Sequence, residues 1–152
     1  MKTAPALPDV HRAIRQLQRL AELFGKRRAQ LATGAGLSEQ QWQVLEEIAT
    51  ERFMPSMFAR GRRSTPAAVS RIIRQLLDKQ LVSVSVSRTD GRQRTYVLTP
   101  RGKRTLAALR AQRRRAIDAI WLDLDRPALE AFIHSSRELI VRLEAYAARQ
   151  DT

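Results

Sequence analysis

Cysteine is absent from the 152 residues, which excludes disulfides, thiolate zinc sites, iron–sulfur clusters and thiol redox sensing together. Histidine is almost absent. His11 and His134 are the two in the chain, a poor metal set even with Asp and Glu to help, so neither a metal nor another cofactor is expected. No run of 18 apolar residues occurs, so no membrane span is expected. Met1 to Pro8 lack the apolar stretch of a signal peptide, and a cytoplasmic location is the simplest reading. There is no Gly-rich phosphate loop, no nucleophile elbow and no His pair at helical spacing, so an enzyme has nothing behind it beyond the presence of carboxylates. Apolar residues at 43% are too many for a disordered tail and enough to bury the core of one domain with helical extensions.

Acid is the other scarcity. Against 28 Lys and Arg stand 15 Asp and Glu, for a net charge of +13. Such a balance suits a polyanionic partner, nucleic acid or an anionic membrane, but an Arg-rich compositional bias produces it too. Distribution separates the two. Between Arg60 and Arg104 lie twelve Lys and Arg and two acids, Asp78 and Asp90, so that segment holds +10 and the other 107 residues hold +3. A general bias would spread evenly.

Along the chain, Val10, Ile14, Leu17, Ala21, Phe24 and Leu31 recur at steps of three and four and mark one face of a long helix, with Asp9 as N-cap and Gly34 and Gly36 ending it. Ser38 caps a second helix, and Gln41 stands where a capping box wants Glu or Gln; Trp42, Leu45, Ile48 and Ala49 form its buried face. Pro55 starts a short third helix through Gly61. Thr65-Pro66 reads as an N-cap and first-turn proline of a fourth helix running to about Gln80. Val69, Ile72, Ile73, Leu76 and Leu77 lie on one side of it, and Ser70, Arg71, Arg74 and Gln75 toward the other. The period then changes: Val82, Val84 and Val86 alternate with serines as a half-buried strand, Asp90-Gly91 is a hairpin turn, and Tyr96-Val97-Leu98 is the return strand. Thr99-Pro100 opens another helix with Leu106, Leu109, Ala116, Ile117, Ile120 and Leu124. Asp125-Arg126-Pro127 breaks it and starts a last one with Leu129, Phe132, Ile133, Ser136, Leu139, Ile140, Leu143 and Tyr146.

Helix, short helix, helix, hairpin is the order of a winged helix-turn-helix in a mainly α chain. A helix fits the major groove of B-DNA and meets base edges with its N-terminal residues, and its positive end favours phosphate. Ser64, Thr65, Ala67, Ala68, Ser70, Arg71 and Arg74 populate the start and exposed side of the fourth helix, small enough for close approach or long enough to reach guanine or phosphate. Arg88, Arg92 and Arg94 surround the hairpin turn, from which an arginine can enter a minor groove or touch the backbone.

The stretch from Val69 through Ser70, Arg71, Ile72, Ile73, Arg74 and Gln75 to Leu76 carries a family resemblance, followed by Lys79-Gln80-Leu81-Val82, Asp90-Gly91-Arg92 and Leu98-Thr99-Pro100-Arg101-Gly102. With Leu37 to Leu45 as the opening of the second helix, these residues resemble the MarR family of winged helix-turn-helix transcriptional regulators over roughly residues 10 to 147. The resemblance implies a ligand-responsive repressor: a homodimer whose first and last helices interlace, bound to a palindromic operator in double-stranded DNA. It implies a dimerisation region at 1–36 and 105–152 and a DNA-binding lobe at 37–104. It implies that Ser70 and Arg71 face the major groove, that Arg92 enters the minor groove, and that Asp90 orients basic side chains nearby. A lone Asp in a basic hairpin is itself poorly placed to touch phosphate. It further implies a small aromatic or phenolic effector, for which Phe24, Trp42, Phe53 and Phe58 are candidate pocket residues. Gln75 stands where many members carry Arg. Gln80 stands where Gly usually ends the recognition helix, which must then close without a favourable left-handed residue.

Other readings of the same residues remain. Arg71 and Arg74 also fit a solvated helix face, as does Arg113-Arg114-Arg115. Trp42 and Trp121 fit core or dimer packing better than a ligand platform. A nonspecific nucleic-acid or architectural protein shares the charge argument, and a small aromatic-compound enzyme stands last.

Overall fold

A computed structural model describes residues 3–62, 64–86 and 94–150. Within it run α1 (Leu7–Gly34), α2 (Glu39–Ala49), α3 (Pro55–Gly61), α4 (Pro66–Asp78), β1 (Val82–Val86), β2 (Arg94–Leu98), α5 (Pro100–Ile120) and α6 (Arg126–Gln150). The chain divides into two compact units, Met1–Gln112 and Arg113–Thr152. None of the helices is long and apolar enough to cross a membrane among the described residues.

The core of the first unit is apolar and drawn from distant parts of the sequence. Val44, Leu45 and Ile48 of α2 meet Val69 and Leu76 of α4 and Leu109 of α5, and Leu31 and Ala32 of α1 close it. Val69, Ile72, Ile73 and Leu76 are the buried stripe of α4, spaced for one helix face. Local chemistry ends the helices cleanly. Ser38 Oγ accepts from the Gln41 N–H while the Gln41 side chain accepts from the Ser38 N–H, both at 3.1 Å, a complete capping box on α2. Gly36 at φ +71° closes α1, with Leu37 N–H donating back to the Ala32 carbonyl and Gly36 N–H to that of Thr33.

Three details depart from the sequence reading. Helix α1 begins at Leu7 with Ala6 as N-cap and no side-chain cap. Pro8 needs no N–H partner and its fixed φ suits the first turn, so the helix starts ahead of it, and Asp9 accepts from Arg12 at 2.9 Å instead of capping. In β1, Val82 is buried but Val84 is 39% exposed. The antiparallel pair aligns Val82 with Leu98, Val84 with Tyr96 and Val86 with Arg94, and a two-stranded ribbon running outward has only its base against the helices. Lastly, Gln80 does take the left-handed conformation, at φ +58°.

In the second unit, α6 buries none of its 25 residues. Phe132, Ile133, Leu139, Ile140, Val141, Leu143 and Tyr146 are all exposed, and the Trp121 ring lies 6.4 Å from that of Phe132. Ion pairs within each helix join Arg114 to Asp118 on α5 and Arg126 to Glu130 on α6. Helix α1 likewise exposes Ile14, Leu17, Leu20, Leu23 and Phe24. Exposed apolar stripes are the kind of surface that protein, membrane or ligand contacts cover.

Candidate nucleic-acid interface

Helix α4 is presented by its own N-terminus. Thr65 Oγ1 accepts from the Ala68 N–H at 3.1 Å, Pro66 occupies the first turn, and Ser64 N–H donates to the Ala59 carbonyl at 2.8 Å, which ties the turn to α3. These bonds leave Thr65, Ala67, Ser70, Arg71 and Arg74 exposed and Ser64 and Ala68 half-buried, on the opposite side from the buried stripe. The expected face is therefore one surface.

Among the described residues some arginines are held in ion pairs, Arg12 with Asp9, Arg19 with Glu22, Arg28 with Glu39, Arg62 with Glu47 and Arg110 with Glu46, while others, such as Arg15, Arg27 and Arg113, are in none. Arg71 and Arg74 make no ion pair or side-chain hydrogen bond with any described residue. Being three apart on one helix, they repel by roughly 0.2–0.5 kcal/mol. A merely solvated face gains nothing from that repulsion, whereas a polyanion relieves it. Arg62, in contrast, is held: its guanidinium lies 5.6 Å over the Phe58 ring and 3.9 Å from Glu47.

Of the hairpin residues, Arg94 opens β2 and is exposed. Arg88, Asp90 and Arg92 lie outside the described residues. The candidate pocket residues fall in different settings. Phe53 meets Phe58 edge-on at 5.7 Å and Tyr96 at 6.1 Å, an aromatic cluster between the α2–α3 connection and the return strand. Trp42 is buried in the core with Nε1 donating to Glu46 at 3.3 Å, and Phe24 is 44% exposed on α1. No three metal-ligating side chains gather among the described residues.

Two contacts that support the face were not read from the sequence. Arg110 on α5 forks onto the Glu46 carboxylate, which also accepts from Trp42; the Arg110–Glu46 hydrogen bond holds the Arg110 guanidinium above its ordinary pKa, against the opposing effect of burial and with a further contribution from the Glu46 charge. At the far end of α4, Thr99 Oγ1 donates to the Gln80 carbonyl at 2.7 Å and accepts from the Gly102 N–H at 3.0 Å, while its own N–H donates to the Leu81 carbonyl at 3.1 Å. The motif Leu98-Thr99-Pro100-Arg101-Gly102 thus caps α5 and fixes it to the end of α4 in one residue.

Residues 35–93 match the family model described as MarR family. This segment is a MarR-family winged helix. Solved structures extend the likeness of fold over most of the chain. A crystal structure of a MarR family transcription regulator, SP03579, superposes with a TM-score of 0.78 at 18% identity, covering 93% of this chain and 94% of that one. The Staphylococcus aureus MarR in complex with salicylate and kanamycin gives 0.74 at 15% identity, covering 91% and 95%. An S. aureus MepR–DNA complex gives 0.67 at 15% identity, covering 84% and 94%. At these identities the likeness concerns the MarR fold alone. No curated protein matches the chain.

Proposed function

We propose that the protein is a homodimeric, sequence-specific DNA-binding transcriptional regulator of the MarR type, a repressor acting on a palindromic operator. The observation that carries this reading is the placement of Arg71 and Arg74 together on the exposed side of a capped α4, inside the segment that holds +10 of the net charge. Ser70, Arg71 and Arg74 read bases, each good bidentate contact being worth about 1–3 kcal/mol. Ser64, Thr65, Ala67 and Ala68 bring the helix end close to phosphate. Arg88, Arg92 and Arg94 supply the wing, with Asp90 as their organiser. The MepR relative solved on DNA supports a duplex as the partner. The exposed apolar stripes of α1 and α6 support dimerisation through 1–36 and 105–152, with 37–104 as the reading lobe.

An effector belongs to the same proposal by way of the S. aureus MarR solved with salicylate. A small aromatic acid would act by binding one spacing of the two recognition helices better than the other, since equal affinity shifts nothing. Gel-shift titration of Arg71→Ala and Arg92→Ala, with circular dichroism to verify folding, tests the contacts. Each is expected to weaken operator binding about tenfold or more. Unchanged binding by both removes them.

The charge alone equally favours sequence-independent binding. Competition with random duplex separates the readings: a regulator prefers its operator by roughly 10³-fold or more.

A further inference from the structure

Among the described residues, Gln41 is the buried polar side chain, 7% exposed. A buried amide is costly wherever one of its hydrogen bonds goes unmade. Here three are made. Its Nε2 donates to Oε1 of Gln75 at 2.8 Å, and its Oε1 accepts from the Ser38 N–H at 3.1 Å and from Nζ of Lys79 at 2.9 Å. The Lys79 ammonium donates also to the Gly36 carbonyl. Gln75 on α4 and Lys79, the residue that caps its C-terminus, are four residues apart, so one amide at the start of α2 holds two points at the C-terminal end of that helix.

Arg71 is again four residues before Gln75, on the same side of the helix at about 100° of turn per residue. The bearing of Gln75 about the helix axis is therefore nearly the bearing of Arg71. The stripe Val69, Ile72, Ile73 and Leu76 holds α4 against the core, but apolar burial is non-directional and accepts a range of rolls. Hydrogen bonds do not.

We infer that Gln41 is a positioning residue for base reading: through Gln75 and Lys79 its amide sets the roll of α4, and so where the Arg71 and Arg74 guanidiniums meet the duplex. The inference rests on the reading of α4 as the helix that enters the groove.

The test is the ratio of affinities of the full chain for an operator selected from random duplexes and for a scrambled duplex of equal length. Gln75→Met keeps length and exposure and removes the acceptor. It is expected to lower the ratio about tenfold, the scale of one bidentate base contact, while affinity for the scrambled duplex, set by phosphate contacts, stays at the wild-type value. Gln41→Glu keeps the acceptors for Ser38 and Lys79, and Gln75 can turn its amide to donate, so the ratio is expected within about twofold of wild type, a margin well inside the worth of one base contact. A folded Gln75→Met chain with the wild-type ratio overturns the inference, as does an equal loss on both duplexes or a Gln41→Glu ratio as low as that of Gln75→Met. A wild-type chain that binds both duplexes alike overturns the reading of α4 and this inference with it.

Discussion

Gln80 closes α4 at φ +58°, a conformation that costs a residue bearing Cβ about 1–2 kcal/mol. The sequence offers no glycine there, and local propensity argues against a left-handed residue. The neighbourhood overrides it. Leu81 N–H donates to the Leu76 carbonyl, Gln80 N–H to that of Leu77, and Thr99 fixes the Gln80 carbonyl from outside, so the backbone path is set three times over. Gln80→Gly should accordingly raise stability by about 1 kcal/mol, read as a higher urea midpoint with an unchanged slope. A lower midpoint would mean that the Gln80 side chain contributes more than its backbone costs.

At the scale of elements, what could be read from the sequence was what is decided within four or five residues. The capping box of Ser38 and Gln41, the bounds of α3 at Pro55 and Gly61 and the cap of α4 at Thr65 are all local chemistry, and all stand where the sequence put them. The exposed face of α4 followed from its apolar period. Contacts across the fold were not legible. Nothing near Gln41 in the sequence announces Gln75 or Lys79, 34 and 38 residues away, and the one local signal, the capping box, explained only its backbone-facing bond. Val84 was misjudged for a related reason: alternation says which side of a strand is apolar, not how far along it the core reaches. Gly102 shows the same limit within a recognised motif. A Cβ there would lie 2.0 Å from the Leu81 carbonyl oxygen, because α5 crosses the end of α4 in backbone contact. Gly102→Ala should destabilise by about 2–3 kcal/mol, as overpacking against rigid backbone does, seen as a drop in thermal midpoint. A neutral result would show that α5 can shift away freely.

For the molecule as a whole, two surfaces define the account: the exposed arginine face of α4 and the exposed apolar stripes of α1 and α6. In the homodimer proposed above, the second serves the first by repeating the reading face across a two-fold axis. Ile133 and Ile140 lie seven residues apart on α6, both 54% exposed. The paired change Ile133→Asp and Ile140→Asp should leave the helical content intact and move sedimentation from dimer to monomer; a persistent dimer would place the interface elsewhere. The central claim is more direct than that: duplex DNA is read twice, by the arginines of two recognition helices. Selection of bound sequences from a random DNA pool by the wild-type chain measures it in one step. The account predicts a palindromic consensus with half-site centres about 10 base pairs, one helical turn, apart. A pool that yields no consensus, or a single unrepeated element, would contradict it.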